Sequence, residues 1–288
     1  MQLATEFIHA NGLVFEVLTC GAGPTLALFL HGFPEPNLSW REQMFTLAEM
    51  GFRVWAPNQR GYGRTTRPAD MKSYAIELLM ADVAALIDAS GATRVVLLGH
   101  DWGAIVAWCF ATRRLRPLDR LVIINVPHPV CFHRSLKRPG QMLRSWYTAA
   151  FQISILPERF LARNGARAIG ESMVRSSTAP DQFPQDLIAA TCANAAQPGA
   201  LKAMIDWYRA FLRGGGMRRQ LQLGFPVIET PTLMLWGEAD QFLAKYTTDG
   251  THEFVRNLTL HFFPGVSHWV QQDATELCNR ELRSFLNP

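Results

Sequence analysis

The sequence predicts an α/β protein, a mostly parallel β-sheet flanked by helices with a helical segment inserted late in the chain. Three observations carry that expectation. Short continuous apolar runs, residues 26–30 and 95–98 among them, are of the kind buried on both faces of a sheet. They alternate with stretches whose apolar residues recur at helical spacing, the rhythm of parallel strands joined by crossover helices. Between about His128 and Pro226 the rhythm stops, and the chain turns irregular and helix-leaning with no convincing buried strand.

Taken in order, residues 6–19 alternate around Asn11 and Gly12, a strong hairpin signal. The run 26–30 predicts a buried strand ending in His31-Gly32-Phe33-Pro34. Trp40, Met44, Leu47 and Ala48 recur at helical spacing, and a strand follows over 52–56. A helix is expected over 74–89, a buried strand over 94–98, a helix from Gly103 to about Arg113, and a strand over 121–125. Within the insertion, residues 145–155, 186–196 and 200–212 suit helices, and Gly214-Gly215-Gly216 marks a turn. Strands resume over 232–236 and 258–263. A last amphipathic helix places Val270, Ala274, Leu277, Cys278, Leu282 and Phe285 on one stripe. The expected division is a core of residues 1–128 and 227–288, with residues 129–226 as a helical cap over the carboxyl edge of the sheet.

Bulk properties exclude little beyond the extremes. A chain of 288 residues that is 48% hydrophobic and 18% charged has the composition of an ordinary globular protein. A formal charge of +4 with scattered arginines argues against nucleic-acid binding. Five cysteines, odd in number and never C-x-x-C, fit neither a disulfide framework nor a structural zinc site. The N-terminus has no signal-peptide pattern, and no apolar run reaches the roughly 18–20 residues that span a bilayer. The expectations are a cytoplasmic location, no membrane partner, and a monomer or homodimer.

Chemistry enters at Leu97-Leu98-Gly99-His100-Asp101-Trp102-Gly103, a buried strand that turns tightly between two small residues into a helix. Glycines there permit a strained elbow that lifts one side chain clear of the backbone. The lifted residue is an aspartate, and a carboxylate attacks carbon to leave an ester that a second step must hydrolyse. By itself Asp101 reads equally well as a helix N-cap. Two later residues decide the matter. Asp240 closes one strand in Trp236-Gly237-Glu238-Ala239-Asp240, and His268 closes the next in Ser267-His268-Trp269, giving the order nucleophile, acid, histidine. Glu238 competes locally for the acid role, and Asp240 is preferred. The candidates all follow buried strands, where ligands of such sheets bind. Four histidines, His31, His100, His128 and His268, fit no metal-ligand spacing, so no metal is expected, and chemistry run by a carboxylate nucleophile with an acid and a histidine calls for no organic cofactor.

On these residues the chain resembles the α/β-hydrolase superfamily and, within it, the soluble epoxide hydrolase family, over nearly its whole length. His31-Gly32-Phe33-Pro34 resembles the family's H-G-x-P motif, which implies an oxyanion hole from the N–H groups of Phe33 and Trp102. Asn58-Gln59-Arg60-Gly61-Tyr62-Gly63 resembles D-x-R-G-Y-G with asparagine in place of aspartate. Trp146-Tyr147-Thr148-Ala149-Ala150-Phe151-Gln152 resembles a Y-x-x-x-F-Q cap segment, and Asp206-Trp207-Tyr208-Arg209 an N-W-Y-R segment. The resemblance therefore implies Tyr147 and Tyr208 as the two phenols that hold and protonate an epoxide oxygen. It implies a small-molecule epoxide substrate, an Asp101 ester hydrolysed by water that His268 activates, and Asp240 orienting His268. Trp40, Phe151 and Trp269 are expected to line an apolar substrate pocket with Phe33 and Trp102. A dehalogenase uses the same Asp-Asp-His order, but Phe33 stands where haloalkane enzymes carry asparagine, and Trp102 and Ile105 where haloacetate enzymes carry arginines. A non-catalytic relative acting as a ligand receptor is the alternative of another class, disfavoured by the complete triad.

Overall fold

The structure, a computed structural model, describes residues 2–287. The chain opens with β1 (Ala4–Ala10) and β2 (Leu13–Cys20), joined through Asn11 and Gly12 at φ of 49° and 72°. There follow β3 (Thr25–Leu30), α1 (Arg41–Glu49), β4 (Arg53–Pro57), α2 (Ile76–Ser90), β5 (Arg94–His100), α3 (Trp102–Arg113) and β6 (Arg120–Ile124). After the insertion come β7 (Thr232–Gly237), β8 (Leu258–Phe263) and the closing helices. Among the described residues one eight-stranded sheet forms, in the order β1-β2-β4-β3-β5-β6-β7-β8. β2 pairs antiparallel with both β1 and β4, and from β4 to β8 every pairing is parallel. The central parallel strands are buried on both faces: Leu26, Leu28 and Leu30 pack on the side of α2 and α3, Ala27 and Phe29 on the side of α1. Their carboxyl ends consequently share one edge, and that edge carries the polar residues.

The insertion between β6 and β7 is more helical than its sequence announces. It comprises α4 (Pro129–Ser135), α5 (Pro139–Arg144), α6 (Trp146–Ala150), α7 (Leu156–Leu161), α8 (Arg163–Ser176), α9 (Gln185–Ala196), α10 (Ala200–Leu212) and α11 (Gly216–Gln222), with no strand among the described residues. The single helix expected over 145–155 ends at Ala150. Ile155 sits at φ 72°, and Pro157 opens α7, where a ring without an N–H fits a helix start and not a continuation.

The last helix is also not continuous. Ala274, at φ −137° and ψ 46°, separates α12 (Val270–Asp273) from α13 (Thr275–Leu286). The break follows the duties of Asp273, whose carboxylate accepts from Ser267 N, Thr178 N and the Ser177 and Thr178 hydroxyls. Leu277 is exposed, and the buried stripe of α13 is Cys278, Leu282 and Leu286 with Phe285 half-buried. The five cysteines are free thiols.

Candidate active site

Asp101 sits between β5 and α3 at φ 47° and ψ −121°, a conformation that costs of order 1–3 kcal/mol unless its surroundings impose it. The surroundings do. A Cβ on Gly103 would overlap the carbonyl oxygen of Leu30, one on Gly32 would overlap the Asp101 side chain, and one on Gly99 would lie 2.6 Å from the Gly103 oxygen. The helix begins at Trp102, one residue before the sequence suggests, and Asp101 makes no side-chain capping bond. Its Oδ1 instead accepts from Phe33 N at 2.7 Å. The Trp102 N–H, in the first turn of α3, has no intrahelical acceptor. The loop bearing Phe33 is held by His31, whose Nε2 accepts from Gln59 N at 3.0 Å while Nδ1 faces the Gly32 oxygen at 3.0 Å. Burial pushes His31 down to about 4, which keeps this structural ring neutral.

His268 faces Asp101 from the loop after β8. Its Nδ1 lies 2.7 Å from Asp240 Oδ2 and its Nε2 lies 3.7 Å from Asp101 Oδ2. Asp240 is buried and saturated: Oδ1 accepts from Phe242 N and Leu243 N at 2.6 and 2.9 Å, and Oδ2 accepts from Asn125 Nδ2 at 2.6 Å. Glu238, the competing acid, points away to pair with Lys245 at 2.5 Å. Burial disfavours the charged form of His268, but Asp240 and Asp101 outweigh it and raise the ring to about 10. Burial likewise pushes Asp101 up, and the attraction of His268 and the Phe33 N–H more than reverses this, holding the carboxyl below its usual range.

Tyr147 of α6 and Tyr208 of α10 descend from the insertion, with ring centroids 6.1 Å apart. Tyr208 is wedged among Trp102, Phe151 and Phe33 at 4.9, 5.0 and 5.5 Å. Burial, and next the negative charge of Asp101, push both phenols above their ordinary value, so both keep their protons at neutral pH. Two cavities meet here. An inner one of about 130 Å³ runs past Ile105, Phe132, Phe211 and Phe225, and an outer one of about 490 Å³ past Phe33, Phe151, Phe160 and Trp269. Asp101, Tyr147 and Tyr208 line both, and His268 lines the outer one. Among the described residues, no arginine or lysine lines either cavity.

Asp101, Asp240, His268, Tyr147, Tyr208, Phe33, Trp102, Phe151 and Trp269 are thus brought together. Trp40 is not. It packs 5.1 Å from Phe29 on the α1 face of the sheet, away from both cavities, because it continues the buried stripe of Met44 and Leu47. Asn58, in the position usually held by aspartate, donates from Nδ2 to Glu16 Oε2 at 2.8 Å, and a carboxylate there would face a like charge. Asp206, in place of asparagine, pairs with Lys202 and Arg209.

Two contributors escape sequence reasoning. Asn125, at the carboxyl end of β6, grips Asp240 and accepts from Gly237 N, joining two strand ends. Glu35 is wholly buried 2.8 Å from Nδ1 of His100, whose Nε2 lies 3.0 Å from the carbonyl oxygen of His268. Position alone, a polar residue just past a buried strand, was the available signal for Asn125.

Comparison with known proteins identifies the family of the fold. The family model described as the alpha/beta hydrolase fold matches residues 26–275. The AB hydrolase superfamily protein YfhM of Bacillus subtilis is 35% identical, with 98% of this chain and 97% of the relative covered. Epoxide hydrolase 4 of Mus musculus is 35% identical over 97% of this chain and 78% of its own length. The crystal structure of an epoxide hydrolase from Bacillus megaterium in complex with an inhibitor superposes with a TM-score of 0.89 at 28% identity, covering 98% of this chain and all of that one. The chain belongs to the α/β-hydrolase fold family, on the branch of that family occupied by the epoxide hydrolases.

Proposed function

We propose that this chain hydrolyses epoxides to vicinal diols through an ester of Asp101, with residues 129–226 acting as the cap over the reacting groups. The observation that carries the reading is the meeting of three groups, the Asp101 carboxylate and the Tyr147 and Tyr208 phenols, at the junction of two apolar cavities. An epoxide leaves its oxygen as an alkoxide unless a donor protonates it, and a phenol that is neutral at pH 7 yet more acidic than an alcohol suits that task.

In the first step Asp101 Oδ2 bonds to a ring carbon, the carbon–oxygen bond breaks, and the oxygen takes a proton from one tyrosine. Esterification neutralises Asp101, so His268 loses one of its two flanking charges and returns its proton to the tyrosinate. The neutral imidazole, aligned by Asp240, then removes a proton from water. The resulting hydroxide attacks the ester carbonyl, whose oxygen faces the N–H groups of Phe33 and Trp102, and such a donor is typically worth roughly 100–1,000-fold in turnover. Collapse of the tetrahedral intermediate expels the diol oxygen, which takes the proton of the new carboxylic acid and restores ionised Asp101 beside protonated His268. The sum is one epoxide plus one water giving one diol, and the groups named require no further reactant.

Styrene oxide is the first substrate to test, with diol as the expected product. His268→Gln should still alkylate, leaving intact protein heavier by the mass of the epoxide. A broad epoxide panel that yields no diol, with halide released from haloalkanes, overturns the proposal in favour of dehalogenation.

A further inference from the structure

Residues 136–168 hold six basic side chains and one acidic, so their formal charge of +5 exceeds the +4 of the whole chain. The acidic residue, Glu158, is taken up by Arg209 at 2.5 Å. Lys137 and Arg159 are exposed and pair with no carboxylate among the described residues, and Arg163 lies 5.4 Å from the ring of Phe160. The same segment exposes Met142, Leu143, Trp146, Ile153, Ile155, Leu156 and Phe160, each by more than half of its surface. Soluble surfaces rarely gather large apolar groups in this way without a partner. Four of the seven, Trp146, Ile153, Leu156 and Phe160, also line the outer cavity, so its mouth opens within the patch.

We propose that this face of the cap docks on the surface of an anionic phospholipid bilayer, with the outer cavity opening toward the acyl chains. A tryptophan among aliphatic side chains, rimmed by arginine and lysine, matches the layered polarity of a membrane interface. Arg138 and Arg167 are paired with Asp249 and Glu171, and a second copy of the chain is the poorer fit because it would set Lys137, Arg159 and Arg163 of one copy against those of the other. No helix among the described residues is long and apolar enough to cross a membrane, so the contact is peripheral. The docking departs from the expectation of no membrane partner and stands whatever reaction occurs at Asp101. Together with epoxide hydrolysis, it would admit lipid-dissolved substrates directly to the site.

The test is flotation of the full chain with vesicles of equal parts phosphatidylglycerol and phosphatidylcholine, against phosphatidylcholine alone. Binding is expected on the anionic vesicles and should fall as salt rises from about 0.1 M to about 1 M, where screening shortens from roughly 10 to 3 Å. A basic residue near such a surface contributes about fivefold to partitioning, so Arg159→Gln with Arg163→Gln should weaken it about 30-fold. Leu143→Glu with Ile155→Glu should abolish it, and both variants should keep the wild-type thermal midpoint. Absence of flotation, equal binding to both vesicle types, or binding untouched by the arginine pair overturns the proposal. So does a concentration-dependent dimer that Leu143→Glu with Ile155→Glu dissolves while vesicles never bind, which would assign the face to self-association.

Discussion

In the proposed mechanism His268 is the residue whose protonation switches, and Asp101→Asn isolates the switch. The imidazole stands 2.7 Å from Asp240 and 3.7 Å from Asp101. Burial opposes its charge, yet these carboxylates hold its pKa at about 10. A unit charge at 3.7 Å, in an effective dielectric near 20, is worth about 4.5 kcal/mol, or roughly three pH units of proton affinity. Removing a negative neighbour lowers the pKa of a cation, so His268 in Asp101→Asn should release its proton near pH 7. The asparagine retains an oxygen for the Phe33 N–H and a nearly unchanged shape. NMR titration of the His268 ring in both proteins measures the difference. A variant titrating within one pH unit of the wild type would refute the claim that Asp101 holds this proton, and with it the claim that esterification arms the base.

Three further outcomes follow from the geometry. Tyr147→Phe and Tyr208→Phe should each cost roughly 10- to 100-fold in kcat on styrene oxide, and the pair together should remove measurable turnover, since one phenol still protonates alone; a double variant at wild-type rate would exclude them as the acid. Gly103→Ala forces a methyl onto the Leu30 carbonyl and within 2.7 Å of the His31 oxygen, and should cost about 2–4 kcal/mol in urea unfolding, whereas an unchanged midpoint would mean the elbow is loose. Asn125→Ala strips a donor from Asp240 and leaves the buried Gly237 N–H unpaired, so about 1–3 kcal/mol of stability and at least tenfold in kcat should go with little change in KM. Kinetics unaltered by that change would remove Asn125 as a positioning residue.

Much of this architecture was legible before any coordinates. Continuous apolar runs are a direct consequence of burial on both sheet faces, so the central strands β3, β5, β6 and β7 stand out. Asp101, Asp240 and His268, which the structure brings together, stand out in the sequence because each follows such a strand in the order nucleophile, acid, histidine. Trp40 was misplaced because an aromatic residue at helical spacing does not declare which face of the sheet its helix covers. Helices α4, α5, α7, α8 and α11 escape sequence reading because they are short or start at proline, glycine or kinks: Asn164, Gly165 and Ala166 all have positive φ within α8. The Asn125–Asp240 and Glu35–His100 contacts join residues 115 and 65 positions apart, and only the assembled sheet brings them together.

Single-turnover hydrolysis in ¹⁸O-water, with protein in excess over epoxide, tests the covalent step most directly. An Asp101 ester predicts that the first diol carries no ¹⁸O, its new oxygen having come from the carboxylate, and that a peptide containing Asp101 gains the label. A first-turnover diol carrying ¹⁸O, with Asp101 unlabelled, would mean that water attacks the epoxide itself.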